Sequence, residues 1–146
     1  GEKVVIALAH ALTKYGQDTW FQTAILSSED GSSPALLKLL TDQDSFFGRA
    51  DPWKLTFLES FSYVIGSRNH KEQINFLLNA VSLPEMEKEV KWQEAAVNGL
   101  TKGLQNSTTT TAQVREVLTR MESDSTLKVS EKIRQFSGLY SGSPQF

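Results

Sequence analysis

The segment Trp92-Gln93-Glu94-Ala95-Ala96-Val97-Asn98-Gly99-Leu100-Thr101-Lys102-Gly103-Leu104 constrains the fold more than any other part of the chain. Val97, Leu100 and Leu104 recur at helical spacing, and Ala96, Gly99 and Gly103 form a stripe of small residues beside them. A glycine inside a helix costs about 1 kcal/mol against alanine. Two in one helix make sense where a second helix packs very closely, so the segment reads as the buried inner helix of a helical pair. An echo lies upstream in Trp20-Phe21-Gln22-Thr23-Ala24-Ile25-Leu26. Both stretches begin with Trp, carry Ala at the fifth position and continue with aliphatic residues. They lie about 72 residues apart, two periods of a stacked helical hairpin of about 36 residues. Trp53 opens another apolar run between them.

Periodicity predicts helices along the rest of the chain. A first helix runs from Lys3 to Tyr15 on Val5, Leu8, Ala9 and Leu12, with Gly16 as a left-handed C-cap. Asp18 caps the helix of Trp20, and Ser33-Pro34 opens a short helix containing Leu36, Leu37, Leu39 and Leu40. Phe46-Phe47 is expected to fold back onto the core. Asp51-Pro52-Trp53 starts a helix through Ile65 that Gly66 stops, and residues 70–81 form another. Leu83-Pro84 breaks that one, and the longest helix is predicted over Glu85 to Leu104, with Met86 and Val90 on its apolar stripe. Thr110 and Gln113 resemble a capping box before a helix on Val114, Val117, Leu118 and Met121. A last helix presents Val129, Ile133, Phe136 and Tyr140, and Ser141 to Phe146 reads as frayed.

Eight helices pairing as four hairpins of roughly 35 residues give an all-α fold, a right-handed α–α superhelix of the HEAT or armadillo kind. A compact helical bundle is the rival arrangement. Trp20, Trp53 and Trp92 are expected as core anchors, with Ala96, Gly99 and Gly103 permitting close packing. The end helices should then carry more exposed apolar surface than a free-standing protein tolerates.

At 146 residues the chain is one domain, and charged residues at 22% with a net charge of −2 leave no basic stripe for nucleic acid. Cysteine is absent, which removes disulfides, thiol nucleophiles and thiolate metal sites. No apolar run approaches the roughly 20 residues of a membrane span, and no signal peptide is evident. Gly1 reads as a cloning remnant, and the immediate apolar start at Val4-Val5-Ile6 suggests a piece of a larger multidomain protein.

The residues that could carry chemistry fit structural roles better. His10 and His70 lack the spacing of metal ligands and read as solvent-facing or capping residues. Glu87 and Glu89 point to different sides of a helix, unlike an acid–base pair. Three tryptophans could form an aromatic platform, but their regular placement favours repeated core positions. Gly99-x-x-x-Gly103 signals close helix approach, and Asn106-Ser107-Thr108 fits a glycosylation acceptor that matters only in a eukaryotic secretory setting. No catalytic, cofactor or metal residue is assigned.

Three groups of residues carry a family resemblance. They are Asp18-Thr19-Trp20 with Ala24-Ile25-Leu26-Ser27-Ser28, then Val64-Ile65-Gly66-Ser67-Arg68, then Trp92-Gln93 with Ala96-Val97, Gly99-Leu100 and Gly103-Leu104. In that order they resemble the HEAT-like helical region of large membrane-bound dehydrogenase or haem-binding proteins of planctomycetes and their relatives. The resemblance implies a location outside the cytoplasm, in the periplasm or cell envelope. It also implies neighbouring domains in the same chain: a sugar-dehydrogenase-like β-propeller before this region and a c-type haem domain with Cys-x-x-Cys-His after it. This segment has neither, so the implied role is a spacer or docking module.

The leading expectation is therefore a non-catalytic helical-repeat scaffold or protein-interaction module that binds no cofactor itself. The alternative is a small-molecule or haem-handling domain with a pocket near Arg49, Arg68 and Trp53.

Overall fold

A computed structural model describes residues 1–43 and 45–140, and the expectation for Ser141 to Phe146 lies outside them. The described residues are all-helical, without a strand. They form α1 (Glu2–Tyr15), α2 (Thr19–Leu26), α3 (Pro34–Asp42), α4 (Pro52–Arg68), α5 (Lys71–Ala80), α6 (Pro84–Glu87), α7 (Val90–Asn106), α8 (Ala112–Ser123) and α9 (Val129–Tyr140). Single 3-10 turns lie at Asp30–Ser32 and Phe46–Gly48.

Local chemistry sets most boundaries. The Asp18 carboxylate accepts from the amides of Trp20 and Phe21, and the Ser33 hydroxyl accepts from Leu36 ahead of Pro34. The cap of α8 is Thr111, whose hydroxyl accepts from Val114, rather than Thr110. Thr110 is buried and donates instead to the Leu104 carbonyl at 2.7 Å. Asp51 makes no side-chain cap for α4. It pairs with Arg49 at 2.7 Å and lies 3.5 Å from Lys54, and the Arg49 hydrogen bond holds its carboxyl below the ordinary value.

Two glycines have other roles than the predicted ones. Gly16 keeps right-handed angles, φ −63° and ψ −17°. Its hydrogen is needed for space, because a Cβ there would lie 2.2 Å from the Trp53 ring. Gly66 does not stop α4, which runs on to Arg68 and ends at Asn69, a left-handed residue with φ 55°. The predicted long helix is two: α6 and α7 part at Lys88 and Glu89, and the Glu89 carboxylate accepts from the Lys91 amide. Val90 therefore leaves the apolar stripe and is 46% exposed.

Helices contact one another in two rows. In the first, α1 packs on α3, α3 on α5 and α5 on α9; in the second, α2 packs on α4, α4 on α7 and α7 on α8, while α9 packs on α7 as well as on α5 and so joins both. The α4–α7 seam is the tightest. Gly99 lies against Glu59 and Ser62, while Gly103 lies against Tyr63, Gly66 and Ser67. Both helices advance together along this seam, so they run parallel, with α5 and α6 as the return. Phe46 and Phe47 are buried as expected, under Trp53 and Trp92 respectively.

Ser62 sits in the seam at 0% exposure, and its hydroxyl finds no partner. A buried unpaired hydroxyl costs roughly 1–3 kcal/mol, so Ser62→Ala should leave the chain as stable or more stable in urea unfolding. A loss above about 1 kcal/mol would show that the hydroxyl is bonded after all. At the other end of the fold, burial raises the Tyr140 phenol above its ordinary value of 10.0. The unfolded chain ionises first as pH rises. Its contribution is complete below about pH 10 and is lost as pH climbs through the folded value. Tyr140→Phe should flatten that part of the stability curve in alkaline unfolding titrations.

Candidate interaction surface

The second row exposes a shallow groove. Thr23, Leu26 and Ser27 of α2 form one wall, Glu59, Ser60, Tyr63 and Val64 of α4 line its middle, and Gly99 and Lys102 come from α7, enclosing about 350 Å³. It continues past Tyr63 and Lys102 to Gln105, Asn106 and Glu122, adding a recess of about 460 Å³. The parallel seam explains the convergence: Gly99 lets α7 approach until Lys102 reaches Glu59 at 3.3 Å. With side chains 62% and 40% exposed, that pair contributes little stability. It offers one charge of each sign beside the Tyr63 ring, which is 37% exposed. Gln105 bonds Glu122 across the far wall at 3.3 Å.

Buried polar groups hold this face in place. Gln22, 5% exposed, donates from Nε2 to the Gly16 carbonyl at 2.7 Å and to the Trp53 carbonyl at 3.0 Å. Gln93, 7% exposed, donates to the Val81 carbonyl at 2.9 Å. Gln22 thus ties α2 to the α1–α2 connection and to the first turn of α4, and Gln93 ties α7 to the end of α5. Lys54 donates to the Phe46 carbonyl at 2.7 Å and lies 5.1 Å from the Phe46 ring centroid. Arg68 donates to the Ser32 carbonyl at 2.8 Å, and Arg115 to the Gln105 carbonyl at 2.6 Å, which closes the end of α7.

None of these five roles follows from periodicity. The glutamines alone leave a trace, one or two residues after Trp92 and Trp20 near the helix starts.

The expected anchors separate. Trp92 is 1% exposed, edge-on to Phe47 at 4.9 Å between ring centroids. Ala96 is 2% exposed, and Gly99 and Gly103 are buried in the seam. Trp53 is half-buried over Gly16. Trp20 is not a core anchor: it is 83% exposed, because α2 ends its row and nothing lies beyond it among the described residues.

Arg49, Arg68 and Trp53 do not converge on a pocket. Trp53 and Arg68 stand at opposite ends of α4, roughly 22 Å apart along its axis. Arg68 instead borders a polar recess with His70, Gln73 and Ser33. His10 is exposed on α1, and His70 precedes α5 without a side-chain cap. Among the described residues, no three His, Cys, Asp or Glu side chains are grouped to hold a metal ion. None of the described helices is long and apolar enough to cross a membrane.

No family model, curated protein or solved structure matches the chain.

Proposed function

We propose that this chain is a helical-repeat scaffold, an α–α superhelix of HEAT or armadillo type that positions neighbouring parts of a larger protein. On this reading the α2–α4–α7 face is its protein-binding surface. The observation that carries the reading is a repeated seat. Trp92 at the start of α7 covers Phe47, in the connection into α4. Trp53 at the start of α4 covers Gly16, in the connection into α2. Equivalent residues thus make equivalent contacts one unit apart, as a stacked array requires and a bundle of unrelated helices does not.

The groove suits a polypeptide better than a small molecule. It is open and long, with an amphipathic ring at its centre and opposite charges beside it. A dehydrogenase–cytochrome context outside the cytoplasm remains part of the proposal through the family resemblance alone. The alternative, a small-molecule or haem-handling domain, loses its expected pocket with the separation of Arg49 and Trp53 from Arg68.

Haem titration followed by thermal unfolding discriminates the two. A ligand at a hundred times its dissociation constant stabilises the native state by about 2.7 kcal/mol. The scaffold reading expects no saturable shift; a saturable shift removed by Trp53→Ala in a folded variant would replace it with the ligand-binding reading.

A further inference from the structure

We infer that the free end of the stack, the outward face of α1 and α2, is the seat of a partner helix whose apolar stripe is edged with carboxylates. On α1, Val4, Leu8, Ala11 and Tyr15 follow one another at spacings of four, three and four residues, the spacing of a helix-pairing seam. They lie on the flank away from the side that meets α3, where Val5 and Ile6 line a separate recess; Leu8 and Ala11 are half-buried, Leu8 against the core, and the two ends of the stripe stand free. Val4 and Tyr15 are 48% and 52% exposed. The Tyr15 ring meets Phe21 of α2 edge-on at 5.7 Å, which joins the stripe to Phe21, Ala24 and Trp20. Of the seven large hydrophobic residues exposed among the described ones, Val4, Tyr15 and Trp20 lie on this face, and none belongs to α8 or α9.

The register of the second row indicates what covers this face. Trp92 and Ala96 stand one turn apart on α7 and are buried, and Trp53 of α4 rests on the unit before it. Trp20 and Ala24 have the same spacing on α2 and are exposed. At Trp92 and Trp53 that side of the helix covers the unit before it, at Phe47 and Gly16, so the face at Trp20 lacks the helical unit that would precede it in the array.

Charge selects among helices. The solvent edge of the α1 stripe carries Lys3 and Lys14, neither in an ion pair among the described residues, while Glu2 lies on the α3 side with Lys38. A second copy of α1 laid against the first would bring lysine edges together. A helix with Glu or Asp along its edge meets them with the opposite sign. The choice of a helix as occupant rests on the repeat reading; the choice of acidic edges rests on Lys3 and Lys14.

The test uses two synthetic 18-residue helical peptides with the same leucine stripe, one edged with Glu and one with Lys. Trp20 is the exposed tryptophan, so shielding of the intact chain's emission from iodide reports occupation of the seat. The Glu-edged peptide should bind saturably and shield Trp20, and Lys3→Glu/Lys14→Glu should weaken it about tenfold while admitting the Lys-edged peptide. Equal binding of both peptides, or no shielding by either, overturns the inference. Shielding that grows with the chain's own concentration, with a dimer in sedimentation, assigns the face to a second copy and also overturns it. Failure of the repeat reading is distinguishable: it would alter the helix order measured by spin labels while leaving peptide binding intact.

Discussion

Gly103→Ala is expected to destabilise the chain by about 3 kcal/mol, lowering the thermal midpoint by roughly 6–12 °C. Helix propensity alone argues the reverse, since alanine in place of a helical glycine gains about 1 kcal/mol. Packing decides the sign. A Cβ at Gly103 would stand 2.2 Å from the Tyr63 carbonyl oxygen, 2.9 Å from the Ser67 nitrogen and 3.0 Å from the Gly66 Cα. All three are backbone atoms of α4 and cannot rotate away, so the helices must part along the seam. Gly99→Ala faces the same obstacle, with the Glu59 carbonyl oxygen at 2.0 Å. Gly138, on an open surface of α9, supplies the control: nothing lies within 4 Å of its Cβ position, and Gly138→Ala should stabilise slightly. Calorimetry on the three variants checks the ranking; a stabilised Gly103→Ala would mean that the seam is looser than described.

Trp92→Ala and Trp20→Ala should differ more than any other pair of like substitutions. Trp92 fills the space between α7 and Phe47 at 1% exposure, and its removal should cost about 3–5 kcal/mol. Trp20, 83% exposed, touches little and should change stability by less than about 0.5 kcal/mol. Urea unfolding of both variants reads the contrast directly. Equal losses would show that Trp20 is buried in solution, by self-association or by a different packing of α2.

The glycine stripe was legible in the sequence because it expresses packing that repeats along one helix. Ala96, Gly99 and Gly103 announced a close neighbour, and the neighbour proved to be α4 with its own Gly66. The same periodicity misplaced Gly66 as a helix stop. A local pattern cannot distinguish a glycine that ends a helix from one that admits another backbone. It also placed Trp20 in the core, since burial depends on whether a neighbour exists and not on the residue itself. The groove was not legible: Glu59, Tyr63 and Lys102 come together only through the parallel crossing of two helices separated by a long return. Gln22, Gln93 and Arg115 escaped for a related reason, because their partners are backbone carbonyls that leave no mark in a sequence.

The stacked scaffold requires α4 and α7 to run parallel with their backbones in contact. The chain contains no cysteine, so nitroxide labels attach only where one is introduced. Thr56 on α4 and Glu94 and Asn106 on α7 are all exposed and tolerate labels. Electron–electron double resonance should give a shorter distance for the 56–94 pair than for the 56–106 pair, by roughly 10–15 Å at 1.5 Å per helical residue. The opposite order would mean antiparallel helices, and with it the repeated tryptophan seat and the stacked scaffold would fall.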